Sequence, residues 1–305
     1  MPFMRGLRIV GGNRLVGSVT AHGAKNAVLP ILAATVLCRD VEIKNCPDLS
    51  DVAVSCHILR HLGYAVGRQG DTLTLHREES GCRDVPPEWM RAMRSSILFL
   101  GGMLARCGGV SLCPPGGCAL GGRPIDLHLS ALRQMGAVIT EEGDTLRCTA
   151  PGGLHGAAVK LPYPSVGATE NAVMAAVCAD GASCIRNCAR EPEIVCLAEY
   201  LRGCGAEIKG DGTGTIYING VKRLHAADIR LMPDRIECGT YMAMAAATGG
   251  ELFAEGINSE YLQSFTEAME AAGIQVIIGT PTYAIPSWME KSYPDILAET
   301  KKEEA

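Results

Sequence analysis

His61-Leu62-Gly63-Tyr64-Ala65-Val66 runs a helical pattern into a glycine and goes straight on into a strand, and the same phrase returns three times further along the chain. The later copies are Gln134-Met135-Gly136-Ala137-Val138-Ile139, Gly203-Cys204-Gly205-Ala206-Glu207-Ile208 and Ala271-Ala272-Gly273-Ile274-Gln275-Val276. A period of about 70 residues marks an internal repeat rather than four coincidences. Each glycine is expected just past a helix end, where a left-handed backbone costs it nothing. Working outward, a helix precedes each phrase. Pro47-Asp48-Leu49, Pro124-Ile125-Asp126 and Pro192-Glu193-Ile194 place proline and an acid in its first turn, and Asn258-Ser259-Glu260 opens the fourth.

A second helix lies upstream in every unit, over Lys25 to Leu37, Trp89 to Ala105, Thr169 to Ala179 and Thr240 to Ala247. A short strand separates the two helices, as at Val41-Glu42-Ile43, and a hairpin follows the glycine, as at Tyr64 to Val66 and Thr72 to Leu75. The unit is helix–strand–helix–strand–strand, an α/β repeat whose helices cover sheet faces. Strands at Leu7 to Val10 and Leu15 to Thr20 precede the first unit, and the polar stretch ending Lys301-Lys302-Glu303-Glu304-Ala305 is expected to be solvated.

Composition narrows the function. The 305 residues are 47% hydrophobic and 20% charged, with a net charge of −5 and 5% aromatics. That balance suits a globular chain of about two domains, and it offers neither a basic footprint nor stacking platforms for nucleic acid. The longest apolar run, Ala27 to Cys38, contains Pro30 and is too short to span a bilayer. No apolar signal core follows Met1-Pro2-Phe3-Met4-Arg5, so the chain is expected in the cytoplasm, without a membrane partner. The fourteen cysteines include no C-x-x-C pair, which argues against a metal site and makes most of them core filler, among them Cys38, Cys56, Cys178, Cys196, Cys204 and Cys238.

Several segments carry chemistry. Within Pro114 to His128, four glycines and two prolines lie between a strand and a helix expected to open at Pro124. Backbone N–H groups there can approach an anion, Arg123 can bind phosphate in bidentate fashion, and a thiol such as Cys118 would be acidified; a plain surface loop is the competing reading. Lys25, in Gly23-Ala24-Lys25-Asn26, stands in the first turn of a helix against its dipole, either balanced by an anion nearby or tolerated as an exposed lysine in solvent. Arg94 lies among Ile97, Leu98, Leu100 and Met103, either as an edge residue or as an anion ligand. Ser165, in Pro164-Ser165-Val166-Gly167-Ala168-Thr169, either presents its hydroxyl to a phosphate or caps the following helix, and Thr169 has the same choice. Charge-dense Arg190-Glu191-Pro192-Glu193 and Pro233-Asp234-Arg235-Ile236-Glu237 suggest caps and local ion pairs.

These motifs, in this order and spacing, resemble the enolpyruvyl transferases over about residues 6 to 278, in the branch that acts on UDP-N-acetylglucosamine; the cysteine loop Pro115 to Gly121 is the most specific of them. The resemblance implies inverse α/β barrel-like domains of three repeats each. Residues 23–232 would be one complete domain carrying the cysteine loop. Residues 1–22 and 233–305 would be a fragment of a second, with an open sheet edge through which copies can self-associate.

The implied reaction transfers the enolpyruvyl group of phosphoenolpyruvate to the 3′-hydroxyl of UDP-N-acetylglucosamine and releases phosphate, the first committed step of peptidoglycan synthesis, without a cofactor. Lys25, Asn26 and Arg123 would contact phosphoenolpyruvate. Arg94, Arg123, Pro124, Ile125, Asp126, Leu127, Tyr163, Pro164, Ser165 and Val166 would bind the nucleotide sugar, and Cys118 would be the catalytic acid. The family also uses an aspartate within Pro-Thr-Asp, whereas this chain has Pro281-Thr282-Tyr283 and ends before the last two repeats. No aspartate is carried over, so slow turnover is expected of this chain alone; the alternative is a UDP-sugar-binding remnant.

Overall fold

Gly63, Gly136, Gly205 and Gly273 all adopt positive φ, at 85°, 92°, 96° and 82°, so the punctuation of the repeat is real backbone geometry. The computed structural model describes residues 10–78, 84–116 and 125–278. The chain divides into two compact units, one over His22–Met232 and one built from its flanks, Met1–Ala21 with Pro233–Ala305. The first strand, β1 (Val16–Thr20), belongs to the flanking unit.

The larger unit contains three repeats. The first is α1 (Lys25–Ala34), β2 (Asp40–Lys44), α2 (Ser50–His61), β3 (Tyr64–Gln69) and β4 (Thr72–Arg77). The second holds α3 (Pro87–Ala92), α4 (Phe99–Cys107), β5 (Gly109–Leu112), α5 (Asp126–Gln134), β6 (Val138–Glu142) and β7 (Thr145–Thr149). The third is β8 (Ala158–Lys160), α6 (Val166–Ala176), β9 (Ala182–Arg186), α7 (Pro192–Gly203), β10 (Glu207–Lys209) and β11 (Thr215–Asn219), after which β12 (Ile229–Arg230) closes the unit. Each repeat forms its own sheet with the last strand in the middle, in the orders β12-β2-β4-β3, β5-β7-β6 and β10-β11-β9-β8. All these pairings are antiparallel except β12 on β2 and β8 on β9.

Helices α1, α4 and α6 form the interior, with α4 packed against both of the others. Residues Ala27 to Ala34 of α1 and Ala168 to Ala176 of α6 are buried all round, as an apolar circumference requires. The outer helices bury a single stripe, for example Val52, Ser55, Cys56, Ile58 and Leu59 of α2.

Among the described residues the flanking unit carries the helix–strand–helix part of the fourth repeat, and Ile274-Gln275-Val276, expected as a strand, is not in one. The unit comprises α8 (Arg235–Ala247), β13 (Glu251–Glu255), a 3-10 turn Ser259–Leu262 and α9 (Gln263–Ala271), with β1 parallel to β13. Helix α8 is the counterpart of α1 and α6, yet it buries only Cys238, Gly239 and Ala245.

Three expected helices also need correction. The helix after Pro47 starts at Ser50, because Leu49 is still extended and serves as the N-terminal boundary. The helix after the glycine loop starts at Asp126, since Ile125 lies outside the helical region. The stretch from Trp89 to Ala105 is not one helix. It breaks at Met93 (φ −144°, ψ 149°), runs through a 3-10 turn over Arg94–Leu98 and resumes as α4.

Candidate active site

The junction between the 3-10 turn and α4 is opened by a side chain. In a regular α-helix the Gly101 N–H would donate to the Ile97 carbonyl, and here the amide of Asn171 is inserted between them. Asn171 Oδ1 accepts from Gly101 N–H at 2.7 Å, and its Nδ2 donates to Ile97 O at 3.0 Å and to His128 Nδ1 at 2.7 Å. A Cβ on residue 101 would stand 2.4 Å from the Asn171 carbonyl oxygen, so only glycine fits. Ser96 Oγ closes the other side by donating to the carbonyls of Met90 and Met93, at 2.7 and 2.8 Å. Together these bonds set Arg94 at the head of its turn.

His128 is buried and faces the same place. With Asn171 donating to Nδ1, the ring proton sits on Nε2. Burial first, then the nearby Arg94 charge, push its pKa down to about 4, against a smaller opposing pull from Asp126. The ring packs on the start of α6, where a Cβ on Gly167 would lie 2.9 Å from its Cε1 and 3.3 Å from Nε2. Ser165 caps that helix through Oγ, which accepts from Ala168 N–H at 3.4 Å, so capping is the role it plays. Thr169, the other candidate at this helix start, is buried, donates to the Ser165 carbonyl at 2.8 Å and accepts from Ala189 N–H at 3.1 Å. Asp234 likewise caps α8 by accepting from Ile236 and Glu237 N–H groups.

Lys25 finds its anion. Nζ lies 2.8 Å from Oδ2 of Asp51, in the first turn of α2, while Lys25 and Asn26 both remain exposed. The turn before α1 is tightly fixed, for a Cβ on Gly23 would lie 1.7 Å from the Asn45 carbonyl oxygen, and Ala24 N–H donates to the Met232 carbonyl at 2.8 Å. α1 itself packs against the Arg94–Leu98 turn.

Cys118, Arg123 and Pro124 lie outside the described residues, as do Pro281-Thr282-Tyr283. Both ends of the cysteine loop are among the described residues. Gly116 N–H donates to the Met90 carbonyl at 3.2 Å, and a Cβ there would meet the Arg91 carbonyl oxygen at 1.9 Å. Ile125 is the cap residue before α5, three residues ahead of His128. Those two ends therefore lie beside the Arg94 and His128 segments. Ile125 and Leu127 are half-buried, Asp126 and Tyr163 are exposed, and Pro164 and Val166 flank the Ser165 cap.

Sequence reasoning missed two inward groups. Asn171 gave no signal, since its partners are 70 and 74 residues away. Glu170 is wholly buried, and desolvation, with Glu193 and Glu191 adding repulsion, raises its carboxyl well above the ordinary range. Among the described residues there is no cluster of three metal-ligating side chains and no helix long and apolar enough to cross a membrane.

The fold has solved counterparts. The enolpyruvyl transferase NikO from Streptomyces tendae superposes with a TM-score of 0.75 at 22% identity, over 88% of this chain and 65% of that one. An EPSP synthase from Acinetobacter baumannii gives 0.63 at 22% identity, over 81% and 57%. Three inward helices, each with its own sheet, are thus the inverse α/β barrel type of the enolpyruvyl transferases. The profile of the EPSP synthase (3-phosphoshikimate 1-carboxyvinyltransferase) family matches residues 9–294, and the chain belongs to that family.

Within it, a UDP-N-acetylglucosamine 1-carboxyvinyltransferase of Shewanella amazonensis is 45% identical over 274 residues, 90% of this chain and 66% of the relative. Its namesake from Granulibacter bethesdensis is 44% identical over 88% and 65%. The chain spans just under two thirds of the length of these relatives.

Proposed function

We propose that the chain forms the part of a UDP-N-acetylglucosamine carboxyvinyltransferase that gathers both substrates and supplies the acid. The observation that carries this is the pairing of Arg94 with a neutral, proton-donating His128 at the N-terminus of α6, flanked by both ends of the cysteine loop. The 44–45% identity to enzymes of that name supports it. A helix N-terminus, a guanidinium and an imidazole N–H together suit a diphosphate. Arg94, Arg123 to Leu127 and Tyr163 to Val166 are assigned to the nucleotide sugar, and Lys25, Asn26 and Arg123 to phosphoenolpyruvate.

In this reading the Cys118 thiol protonates the methylene carbon of phosphoenolpyruvate, which makes carbon two electrophilic. The sugar 3′-hydroxyl adds there, and loss of phosphate and of one methyl proton restores the double bond. Lys25 and Arg123 hold the departing phosphate, and closure of the glycine loop excludes competing water. We assign the reaction to the cytoplasm, the compartment of phosphoenolpyruvate. We assign the flanking unit to the start of a second three-repeat domain. Its open face exposes Ile236 and Met244, 50% and 45% accessible, and allows self-association, which sedentation in an analytical ultracentrifuge reads directly.

The test measures nucleotide-sugar binding by calorimetry and phosphate release with both substrates. Binding with slow release is expected, because the chain has no aspartate assigned to the sugar hydroxyl. Absence of binding refutes the assignment. Release at the rate of the full-length relatives refutes the need for that aspartate. In parallel, labelling by an epoxide such as fosfomycin should vanish in Cys118→Ala and persist in Cys107→Ala and Cys113→Ala; equal labelling of all three refutes the acid.

A further inference from the structure

Cys38 and Cys204 are 166 residues apart in sequence, and their sulfurs lie 3.5 Å apart in the core of the larger unit. Both are fully enclosed. Cys38 leaves the 3-10 turn that ends α1, and the Tyr64 hydroxyl holds that turn from 2.8 Å to the Thr35 carbonyl and 3.0 Å to the Cys38 carbonyl. Cys204 is the C-terminal cap of α7, with its N–H bonded to the Tyr200 carbonyl at 3.0 Å. α1 and α7 pack directly, so the two sulfurs meet on the seam between the first and third repeats. The Tyr200 hydroxyl sits beside them, with no hydrogen-bond partner of normal geometry.

Two thiols placed so closely are already oriented toward each other. A disulfide needs about 2.05 Å between sulfurs, so roughly 1.5 Å of approach closes the pair, within reach of small χ1 adjustments on either side. A metal is a poor alternative, since no group of three ligating side chains occurs among the described residues. The nearest competitor is Cys178, half-buried beyond the end of α6 and within electrostatic range of Cys38.

We propose that Cys38 and Cys204 are an oxidation site, closing into a reversible disulfide between the first and third repeats when hydrogen peroxide reaches the folded chain. Two S–H bonds break and one S–S bond forms. The two electrons and two protons pass to the peroxide, which leaves as two molecules of water. A dithiol reductant reverses the step by exchange and is itself oxidised to a disulfide. The new bond closes a loop of about 165 residues, which raises the unfolding temperature of the larger unit by roughly 5–15 °C.

The experiment treats the full chain with hydrogen peroxide under native conditions, blocks free thiols with iodoacetamide, and maps tryptic peptides without reduction. Trypsin separates the three candidates, with Cys38 in residues 26–39, Cys204 in 203–209 and Cys178 in 161–186. The expected result is a 26–39 to 203–209 cross-link that dithiothreitol removes, together with the rise in melting temperature. Cys38→Ala and Cys204→Ala each abolish it, and Cys178→Ala keeps it. Recovery of 26–39 joined to 161–186 overturns the assignment. So does recovery of Cys38 and Cys204 as separate alkylated peptides after peroxide, and that outcome is read on the unsubstituted protein without relying on any variant to fold.

Discussion

Acidification from pH 7 to pH 4 should weaken the larger unit through His128 alone by about 3 kcal/mol. The ring is 7% exposed, and its Nδ1 is occupied by the Asn171 amide at 2.7 Å. Protonating Nδ1 would set two donors face to face, in a buried site already near the Arg94 charge. The folded pKa is accordingly held at about 4, against 6.5 for an ordinary histidine. Between those values the unfolded chain binds a proton that the folded chain refuses, so stability rises with pH. It is fully present above pH 6.5, falls by about 1.4 kcal/mol per unit as the pH drops, and levels off below pH 4.

The assay compares urea unfolding of the wild type with His128→Asn at half-unit steps, followed by Trp89 fluorescence in a Trp288→Phe background. Asn at 128 offers an oxygen to Asn171 and does not titrate, so the difference between the two curves isolates the imidazole. Parallel curves, or an NMR titration of His128 centred near 6.5, would refute the reasoning.

Gly101→Ala should destabilise by about 3 kcal/mol or more, because its methyl would stand 2.4 Å from the Asn171 carbonyl oxygen in the packed interior; calorimetry reads the loss. Glu170→Gln should stabilise the chain above pH 4.5: burial holds the folded carboxyl well above that value, so the unfolded state releases its proton first and stability falls as pH rises, a slope the variant should remove in urea unfolding. Leu231→Ala should cost about 2–4 kcal/mol in the same assay, since Leu231 is buried and its N–H bonds to the Lys44 carbonyl at 3.0 Å, beside the β12 ladder.

What the sequence made legible is what repeats locally. Glycine at a helix end followed by a strand needs only neighbours within a few residues; the glycine holds a positive φ in all four copies, and a strand follows it in the first three. That an anion could balance Lys25 was also legible, beside the reading of a solvated lysine, because a cation in a first helical turn opposes the dipole. Asp51 as that anion was not, since it depends on how α2 packs on α1. The helix break at Met93 was invisible because the apolar periodicity from Trp89 to Ala105 continues straight through it, and the amide that opens the Ile97–Gly101 turn comes from α6. Arg94 stayed ambiguous until His128 appeared beside it. Glu170 and Asn171 read as ordinary polar residues of a helix whose every face turns out to be enclosed.

The strand order adds a point that no local pattern contains. β1 precedes α1 of the larger unit but pairs with β13 of the flanking unit, whereas β12 precedes α8 of the flanking unit but pairs with β2 of the larger one. The first strands of the first and fourth repeats are thus exchanged. The exchange leaves the larger unit without a free β2 edge, which removes one template for misassociation. It also serves the candidate site. The chain leaving β12 carries the Leu231 carbonyl to the Asn45 side chain at 3.2 Å and the Met232 carbonyl to Ala24 N–H at 2.8 Å. Asn45 in turn sits against Gly23. The turn that presents Lys25 and Asn26 is therefore fixed by a strand whose own helix lies in the other unit, so the geometry of that turn depends on residues some 200 positions downstream.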